Sequence, residues 1–270
     1  MEKNVEFYRR YRDMFRNFVE MFRCQEDVYE DFCRNTAIFL AEFCDKKGRE
    51  GLVLENIEPE PENPSPVRAI KVLIGVPNLG QINQITASSL IQLNTTENTK
   101  FMMESHSLIY NAREHIAQVA IDEGYDYLLF IDSDIEFKPD SLLHLLNHSL
   151  PMVTGIYYQR GGQHLPVICK KIEPFSCEVE INVDRTDLIE IAGCGLGFCL
   201  IRVDVLKDVV EHYGKATMFC PIPGLGEDFA FCKRVTELGY SIFADPTIPL
   251  NHWGNIAFGR ASFDKGRYER

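Results

Sequence analysis

Apolar residues recur at helical spacing through the first fifty positions. Phe7, Tyr11, Met14, Phe18 and Met21 form one stripe, and Phe32, Phe39 and Phe43 resume it beyond the polar break Cys24-Gln25-Glu26-Asp27. The spacing predicts two helices before Gly48, read either as a hairpin covering the main domain or as an arm for homo-oligomerisation. The segment from Glu55 to Pro66 is acidic and proline-rich, as expected of an extended connector. A helical appendage over 1–54, a linker over 55–68, a main domain over 69–258 and a tail over 259–270 follow from these shifts.

Past the linker the period changes. Lys71 to Val76 is a short β-branched run that ends in Pro77-Asn78-Leu79-Gly80, the pattern of a buried strand delivering a loop. Between Ser105 and Glu123, Ile109, Ala112, Ile116 and Val119 mark one helix face, and Gly124 is placed to close it in a left-handed cap. A strand from Tyr127 to Ile131 comes next. Further strands are expected at Met152–Tyr157, Pro166–Lys171, Leu188–Ile191, Phe198–Val203 and Tyr240–Ala244, with helices at Asp140–His148, Asp204–His212 and Glu227–Leu238. Strand-helix-strand alternation implies an α/β fold with a mostly parallel central sheet flanked by helices. Such sheets present ligands at the carboxyl ends of their strands.

Composition narrows the function. With 45% apolar and 25% charged residues in 270, the chain has the make-up of an ordinary globular protein. A net charge of −12 gives no basic excess to neutralise the phosphates of DNA or an anionic membrane. The long uncharged stretches, Val72–Thr96 and Ser141–Gln159, contain Pro, Gly, Asn, Gln or His and do not read as membrane spans. Met1 to Arg12 lacks the apolar core of a secretory signal, and nine cysteines with no C-x-x-C pair fit reduced thiols; a cytoplasmic location is expected.

Chemistry concentrates at three places. The run Tyr127–Ile131 ends in Asp132-Ser133-Asp134, two carboxylates leaving an apolar strand at the ligand edge, a placement that suits a cation; alternation along the chain directs one of them, Asp134, to the metal. Capping of the following turn is the alternative. Gly224-Leu225-Gly226 opens a helix whose first turn carries Glu227 and Asp228, either as dipole caps or, through the flexible glycine entry, as groups that approach a ligand. Near the end comes Leu250-Asn251-His252-Trp253-Gly254, whose imidazole would complement Asp134 around Mn²⁺ or Mg²⁺.

The order Asp132-Ser133-Asp134, Glu227-Asp228 at a helix start, then His252 resembles family 2-type glycosyltransferases of the GT-A fold, over roughly residues 70 to 255. Asn111-Ala112-Arg113 is similar to the helix whose arginine helps hold the donor in that family, and Pro77-Asn78 falls where its first nucleotide-binding loop begins. The resemblance implies a metal-dependent transferase that moves a sugar from a nucleotide-diphosphate donor to an acceptor hydroxyl with inversion. It further implies that Asp134 and His252 bind the metal, that Asp132 and Ser133 meet the donor, and that Asp228 is the base with Glu227 orienting the acceptor or capping the helix. The acceptor is left open between glycan, protein and modified nucleobase. Gly193 and Gly195, in Ile191–Gly197, are candidates to bring backbone near it or to form a flexible turn, and Tyr157, Tyr158, Arg160 and Trp253 are candidate stacking surfaces or else core and rim packing. A sugar nucleotidyltransferase and a catalytically silent nucleotide-sugar-binding module are the competing readings. An aspartate-nucleophile phosphatase is disfavoured, because Glu136 stands where it needs Thr or Val.

Overall fold

The computed structural model describes residues 69–161, 164–173, 176–178, 182–254 and 257–260. The two expected N-terminal helices, the connector and the tail from 261 onward lie outside the described residues.

The chain order is β1 (Lys71–Asn78), α1 (Gln84–Gln92), β2 (Asn98–Ser105), α2 (Ile109–Asp122), β3 (Tyr127–Ile131), β4 (Ile135–Glu136), α3 (Ser141–Asn147) and β5 (Met152–Ile156). Short strands β6 (Ile168–Cys169), β7 (Lys171–Glu173), β8 (Ser176–Glu178), β9 (Ile189–Ile191) and β10 (Gly193–Cys194) precede β11 (Phe198–Arg202). Helices α4 (Val203–Tyr213) and α5 (Glu227–Glu237) then lead to β12 (Ile242–Pro249), β13 (Asn251–Trp253) and β14 (Ala257–Phe258). The main sheet runs β2-β1-β3-β11-β5-β12-β9. In it β2, β1, β3, β5 and β12 point one way, whereas β11 and β9 are antiparallel to their neighbours.

Both faces of this sheet are buried, which is why its strands read as continuous apolar runs. Leu73, Leu128, Phe130, Cys199 and Ile201 join one core with Ile116 and Ala120 of α2, Leu206 of α4 and Phe231 of α5. The alternate residues Val72, Ile74, Leu129, Ile131 and Leu200 join the opposite core with Leu90 of α1 and Leu142 and Leu145 of α3. Gly124 adopts φ 67° at the end of α2, as its sequence position predicts, and the helix turns directly into β3.

The strand expected over Pro166–Lys171 is broken into β6 and β7, and the short strands β4, β8, β10, β13 and β14 were not expected; of the longer elements, β2 and α1 depart from the pattern reading. β2 has the sequence NTKFMMES and lies at the sheet edge with no fully buried residue; even Phe101 and Met103 are exposed, so the strand carries no core signal. The helix α1 begins at Asn83, whose side chain accepts from the Ile85 N–H, inside a stretch whose polarity gave no helical period. Among the described residues no helix is long and apolar enough to cross a membrane.

Candidate functional site

Asp132 and Asp134 leave β3 at its carboxyl end, and the ladder continues only as the Asp132 N–H bonded to the Gly197 carbonyl at 2.9 Å. The chain then turns into β4, which pairs antiparallel with β13 so that Ile135 lies opposite His252 and Glu136 opposite Asn251. The Trp253 N–H donates to the Asp134 carbonyl at 2.7 Å and extends this ladder by one bond. Glu136 locks the pairing from the side: its Oε2 accepts from Asn251 Nδ2 at 2.9 Å and from the Trp253 indole N–H at 2.8 Å.

This backbone geometry brings Asp134 and His252 together. Asp134 Oδ1 stands 3.4 Å from His252 Nε2, and both side chains are mostly buried. The His252 Nδ1 lies 2.9 Å from the Tyr158 carbonyl oxygen, which can only accept, so Nδ1 carries the proton. This leaves Nε2 as the ring nitrogen that faces Asp134. A metal-binding imidazole is oriented in the same manner, its distal N–H held by a carbonyl. The other Asp134 oxygen, Oδ2, meets Arg160 Nη1 at 2.8 Å, and the same Nη1 also donates to the Trp253 carbonyl at 3.2 Å.

On the inner side, Arg113 of α2 is only 2% exposed and turns toward the carboxylates. Its Nη2 donates to Asp132 Oδ1 at 2.9 Å, its Nη1 reaches the Leu196 carbonyl at 3.5 Å, and its Nε faces Asp228 Oδ1 at 3.5 Å. Burial opposes the guanidinium charge, but Asp132 and then Asp228 outweigh it and hold the pKa above its ordinary value. Asp228 occupies the first turn of α5 after Gly226. Burial lifts its carboxyl most; Arg113 opposes, Glu227 and Asp132 add to the rise, and the Leu196 N–H opposes, leaving the pKa pushed up to about 7. The helix N-terminus, which by itself favours a carboxylate, does not win here.

Tyr157 links the two groups. Its ring meets the His252 ring edge-on at 5.4 Å, and its hydroxyl oxygen accepts from the Gly197 N–H at 3.2 Å. Burial, with Asp228 and Asp132 nearby, raises its pKa well above the usual tyrosine value, so the hydroxyl stays protonated. Asp132, Asp134, Asp228, Arg113 and His252 thus form one chain of neighbours through Tyr157.

The remaining expected residues fall as follows. Ser133 gives its carbonyl to the Asn83 N–H at 2.8 Å and so anchors the start of α1. Pro77 and Asn78 end β1 beside β3 on the same sheet edge; Asn78 Oδ1 accepts from the Gly80 N–H at 2.8 Å and shapes its own turn. Gly193, Gly195 and Gly197 are buried. A Cβ on Gly193 would come within 2.9 Å of Ile172 and Phe229, one on Gly195 would overlap the Tyr157 hydroxyl, and one on Gly197 would approach Asp132 Oδ2 at 2.9 Å. What these glycines admit is protein, above all Tyr157 and Phe229. Trp253 is half-buried, with its indole N–H held by Glu136.

Glu136 belongs to no short motif and escapes a reading of the sequence; the pairing of β4 with β13 brings it in. Tyr157 and Arg160, expected as candidate stacking surfaces, lie against His252 and Asp134.

No family model and no curated protein matches the chain. Among solved structures, the protein A197 from STIV is similar over 72% of this chain and 92% of its own, at TM-score 0.53 and 21% identity, a likeness of fold. GalNAc-T7, solved with UDP, GalNAc and Mn²⁺, aligns with 74% of this chain and 48% of its own at TM-score 0.49 and 10% identity.

Proposed function

We propose that the protein is a divalent-metal-dependent glycosyltransferase of the GT-A kind, moving a sugar from a nucleotide-diphosphate donor to an acceptor hydroxyl with inversion. The observation that supports it most is a juxtaposition: an aspartate oxygen 3.4 Å from Nε2 of an imidazole oriented by a backbone carbonyl, and beyond Tyr157 a carboxyl group whose pKa is pushed up to about 7.

In this reading Asp134 Oδ1 and His252 Nε2 hold the cation, which suits the mixed oxygen and nitrogen donors that Mn²⁺ accepts. When bound, Mn²⁺ or Mg²⁺ supplies neutralisation of the charge that gathers on the departing diphosphate. Asp132, fixed by Arg113, faces the donor's hydroxyls. Asp228 takes the acceptor proton as the new glycosidic bond forms, and a pKa near 7 is well matched to a base working at neutral pH. Arg160, half-exposed beside Asp134, offers a second positive charge to the diphosphate.

The test is release of nucleotide from UDP-, GDP- and CDP-sugars by the full chain with Mn²⁺. One donor should be turned over, EDTA should stop the reaction, and Asp228→Asn should retain metal-dependent donor binding while losing turnover. Donor binding without release in the unaltered protein would instead identify a silent binding module. Pyrophosphate release from a nucleoside triphosphate and a sugar phosphate would identify a nucleotidyltransferase. Failure to bind any donor sinks the reading.

A further inference from the structure

A second convergence of ligand-type side chains lies away from the carboxyl edge of β3. His144 lies in α3 and His148, four residues on, is its C-cap with helical backbone angles, so both imidazoles emerge on one side. Their rings are 5.6 Å apart, and both turn toward the same oxygen, Asp245 Oδ2 of β12: His148 Nε2 at 2.7 Å and His144 Nε2 at 3.5 Å. The three ligand atoms lie within 4.8 Å of one another.

Asp245 is built for this orientation. Its side chain is 3% exposed, and its other oxygen, Oδ1, accepts from both the N–H and the hydroxyl of Thr247, at 2.8 and 2.6 Å. Hydrogen bonds to the distal oxygen aim a ligating carboxylate in the way outer partners of metal sites do. A simple ion pair would use one imidazole. Here two face one buried oxygen, and His144, at 43% exposure, leaves an open route from solvent.

We propose that His144, His148 and Asp245 form a structural transition-metal site, suited to Zn²⁺, that is separate from the Asp134 and His252 pair. Two imidazole nitrogens and one carboxylate oxygen give three of the four positions of a tetrahedral zinc centre, and water completes it. Metal–ligand lengths of about 2.0–2.2 Å place ligand atoms roughly 3.3 Å apart, so binding opens the short His148–Asp245 contact and leaves the His144 spacing nearly unchanged. The site clips α3 to β12 at the point where β12 loses register with β5, between Asp245 and Pro249. β12 then leads through Leu250 into β13, which carries His252, so the clip steadies the segment leading into the other site.

The test uses the full chain stripped of metal, titrated with Co²⁺ and then Zn²⁺. One equivalent of Co²⁺ should give the visible absorption of a tetrahedral nitrogen and oxygen site with no sulfur-to-metal charge transfer, and Zn²⁺ should displace it. His144→Ala, at an exposed position, should weaken binding at least tenfold, His144→Ala with His148→Ala should abolish this signal, and His252→Ala should leave it intact. His144→Gln serves where the alanine variant unfolds. Binding unchanged in both His144 variants, loss in His252→Ala, or no tetrahedral Co²⁺ signal from the unaltered protein overturns the proposal. None of these readouts depends on sugar transfer.

Discussion

Arg113 Nε and Asp228 Oδ1 face each other 3.5 Å apart, and each is buried without a hydrogen-bond partner among the described residues. A cation so close ordinarily holds a carboxyl group far below neutrality. Here the contact stops short of a hydrogen bond, while Asp132 takes the 2.9 Å bond to Nη2. Arg113 therefore partly restrains Asp228 and leaves burial to set its basicity.

A base held at about 7 must be deprotonated to act, so kcat/KM should rise with pH and level off above an acidic limb near 7. Stability moves oppositely. The raised pKa means the protonated group favours the fold; that contribution is full below about pH 4 and is lost as pH climbs through about 7. Melting curves across this range should lose that component in Asp228→Asn, and an unchanged profile would show that another group titrates.

Arg113→Met leaves Asp132 and Asp228 facing each other without compensation, at a cost of roughly 3–5 kcal/mol for a broken buried ion pair. The loss should be larger at pH 8 than at pH 6, where Asp228 takes up a proton. The acidic limb should also move above 7. Denaturant midpoints at both pH values decide; equal losses would mean the arginine is mainly packing against Phe130, 5.4 Å from its guanidinium.

Arg160 and a divalent cation compete for Asp134. An exposed ion pair of this kind is worth at most about 1 kcal/mol, so Arg160→Ala should tighten Mn²⁺ binding without donor by up to about fivefold. Asp134→Asn should abolish that binding. Titrations of Mn²⁺ followed by its EPR signal measure both, and weaker binding in Arg160→Ala would place the arginine among the groups that assemble the site.

Gly195→Ala drives a methyl group into the Tyr157 hydroxyl. Overpacking of this sort costs about 1–3 kcal/mol, which lowers Tm by about 2–4 °C per kcal/mol in a domain of this size. Adding Tyr157→Phe removes the clashing oxygen and should recover part of the loss. Val167, 2.8 Å from the added Cβ, keeps recovery incomplete. A double variant no more stable than the single one would place the strain elsewhere.

The buried strands were legible because both faces of the sheet are covered, so β1, β3, β5 and β11 stand out as apolar runs. α2, α3, α4 and α5 were legible through their apolar stripes and the glycines beyond α2 and α5. The edge strand β2 was not, since none of its residues is fully buried and its mixed octet shows neither an apolar run nor an alternation. In the site, Asp132, Asp134, Asp228 and His252 stood out as carboxylates or imidazole at element ends. Tyr157 stood out only as a candidate stacking surface, and Glu136 did not stand out, because it acts through lateral hydrogen bonds. Gly193 and Gly195 were candidates to bring backbone near an acceptor; the groups packed against them are Tyr157, Ile172 and Phe229.

The pairing of β13 with β4 makes the approach of His252 to Asp134 all-or-none. Side chains on a strand alternate with period two, so slipping β13 by one residue would point His252 away from Asp134 and bring Asn251 or Trp253 in its place. A one-residue insertion between Leu250 and Asn251 could thus spare the seven-stranded sheet and still part His252 from Asp134. A change of length alone would undo the juxtaposition, with every acid and imidazole still spelled out in the sequence.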